Sequence, residues 1–105
     1  MTNAQHAEGP WIVTESFLHN TLILVYNIVA LNEHWIASTG YRDDEPQRLA
    51  NARLIAAAPE MLDALKWQEM AEHDPEAARR KGYFKFARHL RRAAIAKATK
   101  QGDQL

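Results

Sequence analysis

The hydrophobic period of this chain changes once, near Gly40, and that change constrains the fold more than any single motif. Before it, apolar residues come in short β-branched and aromatic runs. These are Trp11-Ile12-Val13-Thr14-Glu15, then Leu22-Ile23-Leu24-Val25-Tyr26-Asn27-Ile28-Val29, then His34-Trp35-Ile36-Ala37-Ser38-Thr39. Such runs read as strands, with Trp11, Val13 and Glu15 alternating onto one face and the second run apolar on both. The polar steps between them, His19-Asn20-Thr21 and Asn32-Glu33, are short enough to be turns. An antiparallel meander over residues 10–40 follows.

After the polar break from Gly40 to Glu45 the pattern is helical. Pro46 suits a first helical position, behind Asp43 and Asp44 as N-cap candidates. Gln47 to Ala58 is alanine-rich, and Pro59 must end or kink that helix while opening the next, Glu60 to Glu72. Asp74-Pro75-Glu76 repeats the start signal, Gly82 breaks the third segment, and a last helix runs from Tyr83 to about Lys100. The expected fold class is α+β: a three-stranded antiparallel meander followed by three to four helices packed on the sheet. The expected organisation is a flexible arm over 1–9, one domain over 10–100 and a frayed tail over 101–105. Within that domain lie the 10–40 meander, a Pro59-kinked helical pair over 46–72 and a basic helical region over 75–100.

A length of 105 residues is one domain's worth of chain. Such a domain buries roughly two thirds of its unfolded surface, which leaves little room for a deep cleft. The absence of cysteine excludes disulfides, thiolate metal sites and cysteine nucleophiles, and points to a reducing cytoplasm. Met1 to Pro10 holds no apolar run of signal-peptide type, and Leu22 to Leu31 is too short to span a bilayer, so no membrane association is expected.

Catalytic and metal chemistry finds no footing in the sequence. His6, His19, His34, His73 and His89 have no metal-ligand spacing and read as surface residues. Asp43, Asp44 and Glu45 precede a helix and read as caps, while Asp63, Glu69 and Glu72 read as a solvated helix face. The four glycines are scattered, which excludes a phosphate-cradling loop, and Ser16 and Ser38 lack a nucleophile-elbow context. The expectation is no enzyme, no cofactor and no metal.

The segment Asn51-Ala52-Arg53-Leu54-Ile55-Ala56-Ala57-Ala58-Pro59-Glu60-Met61-Leu62-Asp63-Ala64-Leu65 resembles one carried by many small accessory proteins of bacteriophages and prophages. There it follows a short Pro-Trp-containing meander, as Pro10-Trp11 and Trp35-Ile36-Ala37 do here. The resemblance covers roughly residues 10 to 66 and does not include the basic helix beyond Ala77. It implies phage provenance and location in the bacterial host cytoplasm. By analogy with proteins of that size and origin, it also implies a product that binds and disables a host protein, CRISPR–Cas defence components included. It implies no catalytic residues. Physically, Pro46, Ala50, Leu54 and Ala57 share a helix face, so the alanines are expected to approach the sheet with Leu54 filling the gap. Met61, Leu62 and Leu65 are expected to cover another part of the same sheet. Arg53, between Leu49 and Ala57, is expected to pack its stem and reach an acid at the edge, or else a partner.

The charges are segregated. Through Glu76 four basic residues face twelve acids, a net of −8. From Ala77 to Gly102 there are nine Lys or Arg and no acid, a net of +9, and Asp103 brings the total to zero. On the last helix Tyr83, Phe86, Ala87, Leu90 and Ala94 line one face, while Lys81, Lys85, Arg88 and Arg92 lie opposite. Phe84, Arg91 and Ile95 fall on the flank between. So many uncompensated cations exceed what solubility needs. The partner-binding candidates are therefore Lys81, Tyr83, Phe84, Lys85, Arg88, Arg91, Arg92 and Ile95. The first expectation is a host protein, met either by the basic helix on an acidic surface or by the acidic residues 1–76 in a basic nucleic-acid channel. The basic helix could also pair with the acidic N-terminal region, within one chain or across a dimer. The alternative is a small nucleic-acid-binding regulator using the same helix through phosphates. A homo-oligomer or a virion assembly role also fits, because Trp11, Trp35 and a two-sided apolar strand need more cover than short helices give.

Overall fold

The computed structural model describes residues 6–39 and 45–99. Strands β1 (Ile12–Phe17), β2 (Leu24–Val29) and β3 (Trp35–Ser38) form the expected antiparallel meander in the order β1-β2-β3. The β1–β2 connection takes more residues than expected. Leu18 N–H donates to Ile23 C=O at 2.8 Å, and Thr21 Oγ1 donates to Leu18 C=O at 2.7 Å while accepting from Ile23 N–H at 3.1 Å. Leu22 and Ile23 therefore belong to the turn, and Leu22 stands 93% exposed. Asn20, at φ 58°, supplies the left-handed step, which asparagine tolerates.

Tyr26 and Ile28 of β2 face the helices and form a buried cluster with Ala52 and Ala56. Trp11, Val13, Leu24, Ile36, Ala37, Leu49 and Ile55 pack around it. The β2–β3 pairing shifts between Ile28 and Val29, so that Ala37 pairs with Ile28 and Trp35 with Val29. That shift lets Ile36 and Ala37 both reach the core although they are neighbours, and it sends Trp35 to the other face. The outer face is open: Ile12 and Trp35 are 53% and 66% exposed. A chain of hydrogen bonds crosses it. Trp35 Nε1–H donates to Ser38 Oγ (3.1 Å), Ser38 Oγ–H to Asn27 Oδ1, and Asn27 Nδ2–H to Ser16 Oγ (2.8 Å).

Four helices follow: α1 (Glu45–Ala56), α2 (Ala58–His73), α3 (Pro75–Lys81) and α4 (Tyr83–Thr99). Helix α1 covers the sheet, but with a different face from the one expected. Ala52 and Ala56 are buried against the strands, and Arg48 is buried one turn before them. Of the expected face, Pro46 and Ala50 are exposed and Leu54 is 52% exposed, while Ala57, just past the helix, is buried. Both stripes have helical spacing. Only the Ala52–Ala56 stripe is flanked by apolar Leu49 and Ile55, while the other is flanked by Gln47 and Asn51. Arg53 is half-buried and makes no ion pair among the described residues, so the acid expected at its edge is not there.

Pro59 separates α1 from α2. It has no N–H for the carbonyl of Ile55, and its ring crowds that carbonyl. Ala57 absorbs the break at φ −82°, ψ −3°, with its N–H shared between Arg53 C=O (3.1 Å) and Leu54 C=O (3.3 Å). Helix α2 then leaves the sheet and packs along α4, against the expectation that Met61, Leu62 and Leu65 cover more of the strands. The sheet has no room for it. Three strands about 4.8 Å apart span little more than one helix diameter of about 10 Å, so α1 suffices.

Asp74 ends α2 and starts α3: its N–H donates to Met70 C=O (3.2 Å) and its Oδ1 accepts from Ala77 N–H (3.1 Å), as the Asp-Pro signal predicts. Gly82 closes α3 at φ 73°. Contacts of the N-terminal segment begin by His6, short of the boundary expected at Gly9. The Trp11 indole N–H donates to Ala7 C=O at 3.1 Å, and a Cβ on Gly9 would lie 2.8 Å from Pro59 Cβ. Asp43 and Asp44, the cap candidates for α1, lie outside the described residues, as do residues 1–5 and the tail over 100–105.

Candidate functional site

Helices α2 and α4 form an antiparallel hairpin with an alanine seam. Ala64 and Ala71 of α2 and Ala87 and Ala94 of α4 are buried along it, and such small side chains let two axes approach closely. The seam is fastened at both ends. At one, the Trp67 ring packs on Tyr83 (centroids 5.3 Å apart) and Phe86 (5.1 Å). At the other, Lys97 Nζ meets Glu60 Oε1 at 2.8 Å. The hairpin thereby fixes which sides of α4 remain open.

One open side is a groove of about 540 Å³ between the helices. Met61, Leu65 and Gln68 line it from α2, Arg91 and Ile95 from α4, and Leu54 closes it from α1. Leu65 and Ile95 are 67% and 49% exposed, so the groove is apolar and uncovered. The other open side is the outward face of α4, where Lys85, Arg88 and Arg92 are exposed one turn apart. Lys81, Arg79 and Arg80 are exposed in the last turn of α3, which precedes α4 across Gly82. None of these cations, nor Arg91, pairs with a carboxylate among the described residues.

The candidates named from the sequence thus fall into separate settings. Arg91 and Ile95 meet in the groove, with Phe84 on the same flank two turns earlier and 39% exposed. Lys85, Arg88 and Arg92 share the open basic side of α4, while Lys81 is exposed at the end of α3. Tyr83 is half-buried against Trp67 and belongs to the hairpin's own packing. Sequence reasoning missed the contribution of Leu54, Met61, Leu65 and Gln68 to the groove. The 61–65 spacing signalled an apolar stripe, but one assigned to the sheet.

The titratable groups do not gather. All five histidines are exposed, and among the described residues no three His, Asp or Glu side chains come together as a metal site would require. Among those residues no helix is long and apolar enough to cross a membrane. The arrangement offers contact surfaces: one apolar, one cationic.

Comparison with known proteins gives one result. Neither the curated proteins nor the solved structures contain a match. A family model described as Salmonella phage P22 protein Y8K6 matches residues 1–104, the basic α4 included. The chain therefore belongs to the phage protein family of Salmonella phage P22 protein Y8K6.

Proposed function

We propose that this chain is a phage accessory protein that acts stoichiometrically, binding a host protein through the outward face of α4 and blocking its function. A component of a bacterial defence machine, of which CRISPR–Cas effectors are one kind, is the target class. Membership of a phage family supports the provenance. The observation that carries the contact is the row of exposed cations Lys85, Arg88 and Arg92, which pair with no carboxylate among the described residues. Like charges one turn apart repel, each pair costing about 0.2–0.5 kcal/mol on an isolated helix. No carboxylate among the described residues pairs with these cations to offset that cost. An acidic partner surface would, and the alanine seam holds the cations in place for it.

An acidic protein fits better than a nucleic acid. The net charge is zero and the cations form a short row on one helix, whereas a nucleic-acid backbone is held by an extended basic surface. Affinity capture from host lysate with wild type and with the Lys85→Glu/Arg92→Glu variant tests the reading, alongside titration with labelled duplex and single-stranded DNA at low and moderate salt. The expected result is a host protein retained by wild type, released by the variant, and no DNA binding. Equal retention by both would remove α4 from the contact. DNA binding that weakens steeply with salt would replace the proposal with the nucleic-acid reading.

A further inference from the structure

The α2–α4 groove has unlike rims. On α2, Glu69 and Glu72 follow Leu65 and Gln68 by one turn, and both are exposed. On α4, Arg88 and Arg91 precede Ile95, and both are exposed. One long edge of an apolar groove is acidic and the other basic, so the surface is complementary to itself. A two-fold axis along the groove lays α2 of one copy over α4 of the other, and the reverse, which is the isologous arrangement of a symmetric dimer.

Two further features agree with that operation. Within one chain α2 and α4 are antiparallel, since Glu60 at the start of α2 meets Lys97 near the end of α4. The axis therefore makes every helix antiparallel to both neighbours, as in an up-and-down four-helix bundle. The heights also match. Glu60 is level with Lys97 and Trp67 with Phe86, which brings Glu69 of one copy within a turn of Arg88 of the other and Met61 within a turn of Ile95.

We propose that a second copy of this chain covers the groove, forming a four-helix bundle in which Leu65 and Ile95 are buried and the acidic and basic rims pair across the interface. Arg88 stands between the groove and the outward face, so pairing engages it and leaves Lys85 and Arg92 free on the outward face for the proposed host contact. Helices of 16 and 17 residues are each about 25 Å long and lie roughly 8–10 Å apart, so the paired face is on the order of 500 Å². That is below the roughly 800 Å² per partner of a standard stable interface, so the association is expected to be weak and concentration-dependent.

Sedimentation velocity on the full chain, from about 1 µM to about 500 µM, tests this. Wild type is expected to pass from a 12.0 kDa monomer to a dimer of twice that mass over the range. Leu65→Asp and Ile95→Asp replace side chains exposed in the monomer, so their folds, checked by circular dichroism, should survive while association weakens at least tenfold. Leu22→Asp, at the exposed turn, should leave association unchanged. Glu69→Lys/Glu72→Lys should weaken it, and adding Arg88→Glu/Arg91→Glu to the same chain should restore it. A monomer at every concentration overturns the proposal, as does a dimer indifferent to Leu65→Asp. Failure of the charge exchange to restore association overturns the two-fold arrangement.

Discussion

Gly82 and Glu33 occupy the same left-handed region of backbone space, at φ 73° and φ 62°, with opposite fitness for it. Gly82 needs no side chain there, and nothing lies within 4 Å of where a Cβ would be. Its role is purely conformational, so Gly82→Ala should cost about 1 kcal/mol through the backbone alone. Glu33, closing the 3-10 turn Leu31–Glu33, carries the same strain with a side chain attached. Glu33→Gly should therefore stabilise the fold by about 0.5 kcal/mol, since relief of strain exceeds the added freedom of the unfolded chain. Urea unfolding of the two variants measures both signs. A loss in each would show that the 3-10 turn depends on the Glu33 side chain.

At the scale of elements, the alanine seam decides the architecture. Ala94 is 3% exposed and Ala64 8% across the α2–α4 contact, so Ala94→Leu must push the helices apart or force a strained rotamer. A cost of about 1–3 kcal/mol is expected, with a change in the near-ultraviolet circular dichroism of Trp67 as its contacts with Tyr83 and Phe86 loosen. An unaltered aromatic spectrum would mean the seam has slack. The elements themselves were legible in the sequence because their signals are local: β-branched runs for the strands, Pro59 for the α1–α2 break, Asp74-Pro75 for the α3 cap, Gly82 for its end. What each helix faces was not. Alanine satisfies an apolar stripe on almost any side, so Ala50 and Ala57 gave Leu54 the same claim on the sheet that Ala52 and Ala56 gave Leu49 and Ile55. The flank of Phe84, Arg91 and Ile95 was readable from spacing alone, yet its counterpart on α2 was not, because nothing in Met61 or Leu65 says which neighbour they will meet.

Across the whole molecule, the buried apolar set among the described residues is twelve side chains besides Pro59, nine of them alanine, with Val25, Tyr26 and Ile28 the exceptions. Alanine contributes little transfer free energy, so this core is thin for its length. Larger apolar groups remain outside, among them Leu65, Trp35 and Phe17 at 67%, 66% and 62% exposure. If association buries Leu65 and Ile95, stability is linked to concentration by mass action. The thermal midpoint should then rise by several degrees between about 5 µM and about 500 µM, and Leu65→Asp should flatten that dependence. A midpoint constant with concentration in wild type would place all the stability within one chain.

The hydrogen-bond chain through Asn27 has a consequence for how the sheet counts its residues. Strand partners could slide past one another by one place and keep most backbone bonds, but each slide turns every side chain to the opposite face. Asn27 stands opposite Thr14 and Ser38 and bonds to Ser16 and Ser38, reaching a hydroxyl on either side. Sliding β1 by one would offer it Val13 or Glu15 instead, and would drive Thr14 and Ser16 under α1. A single amide on the central strand thus keeps the reading frame of both neighbours at once.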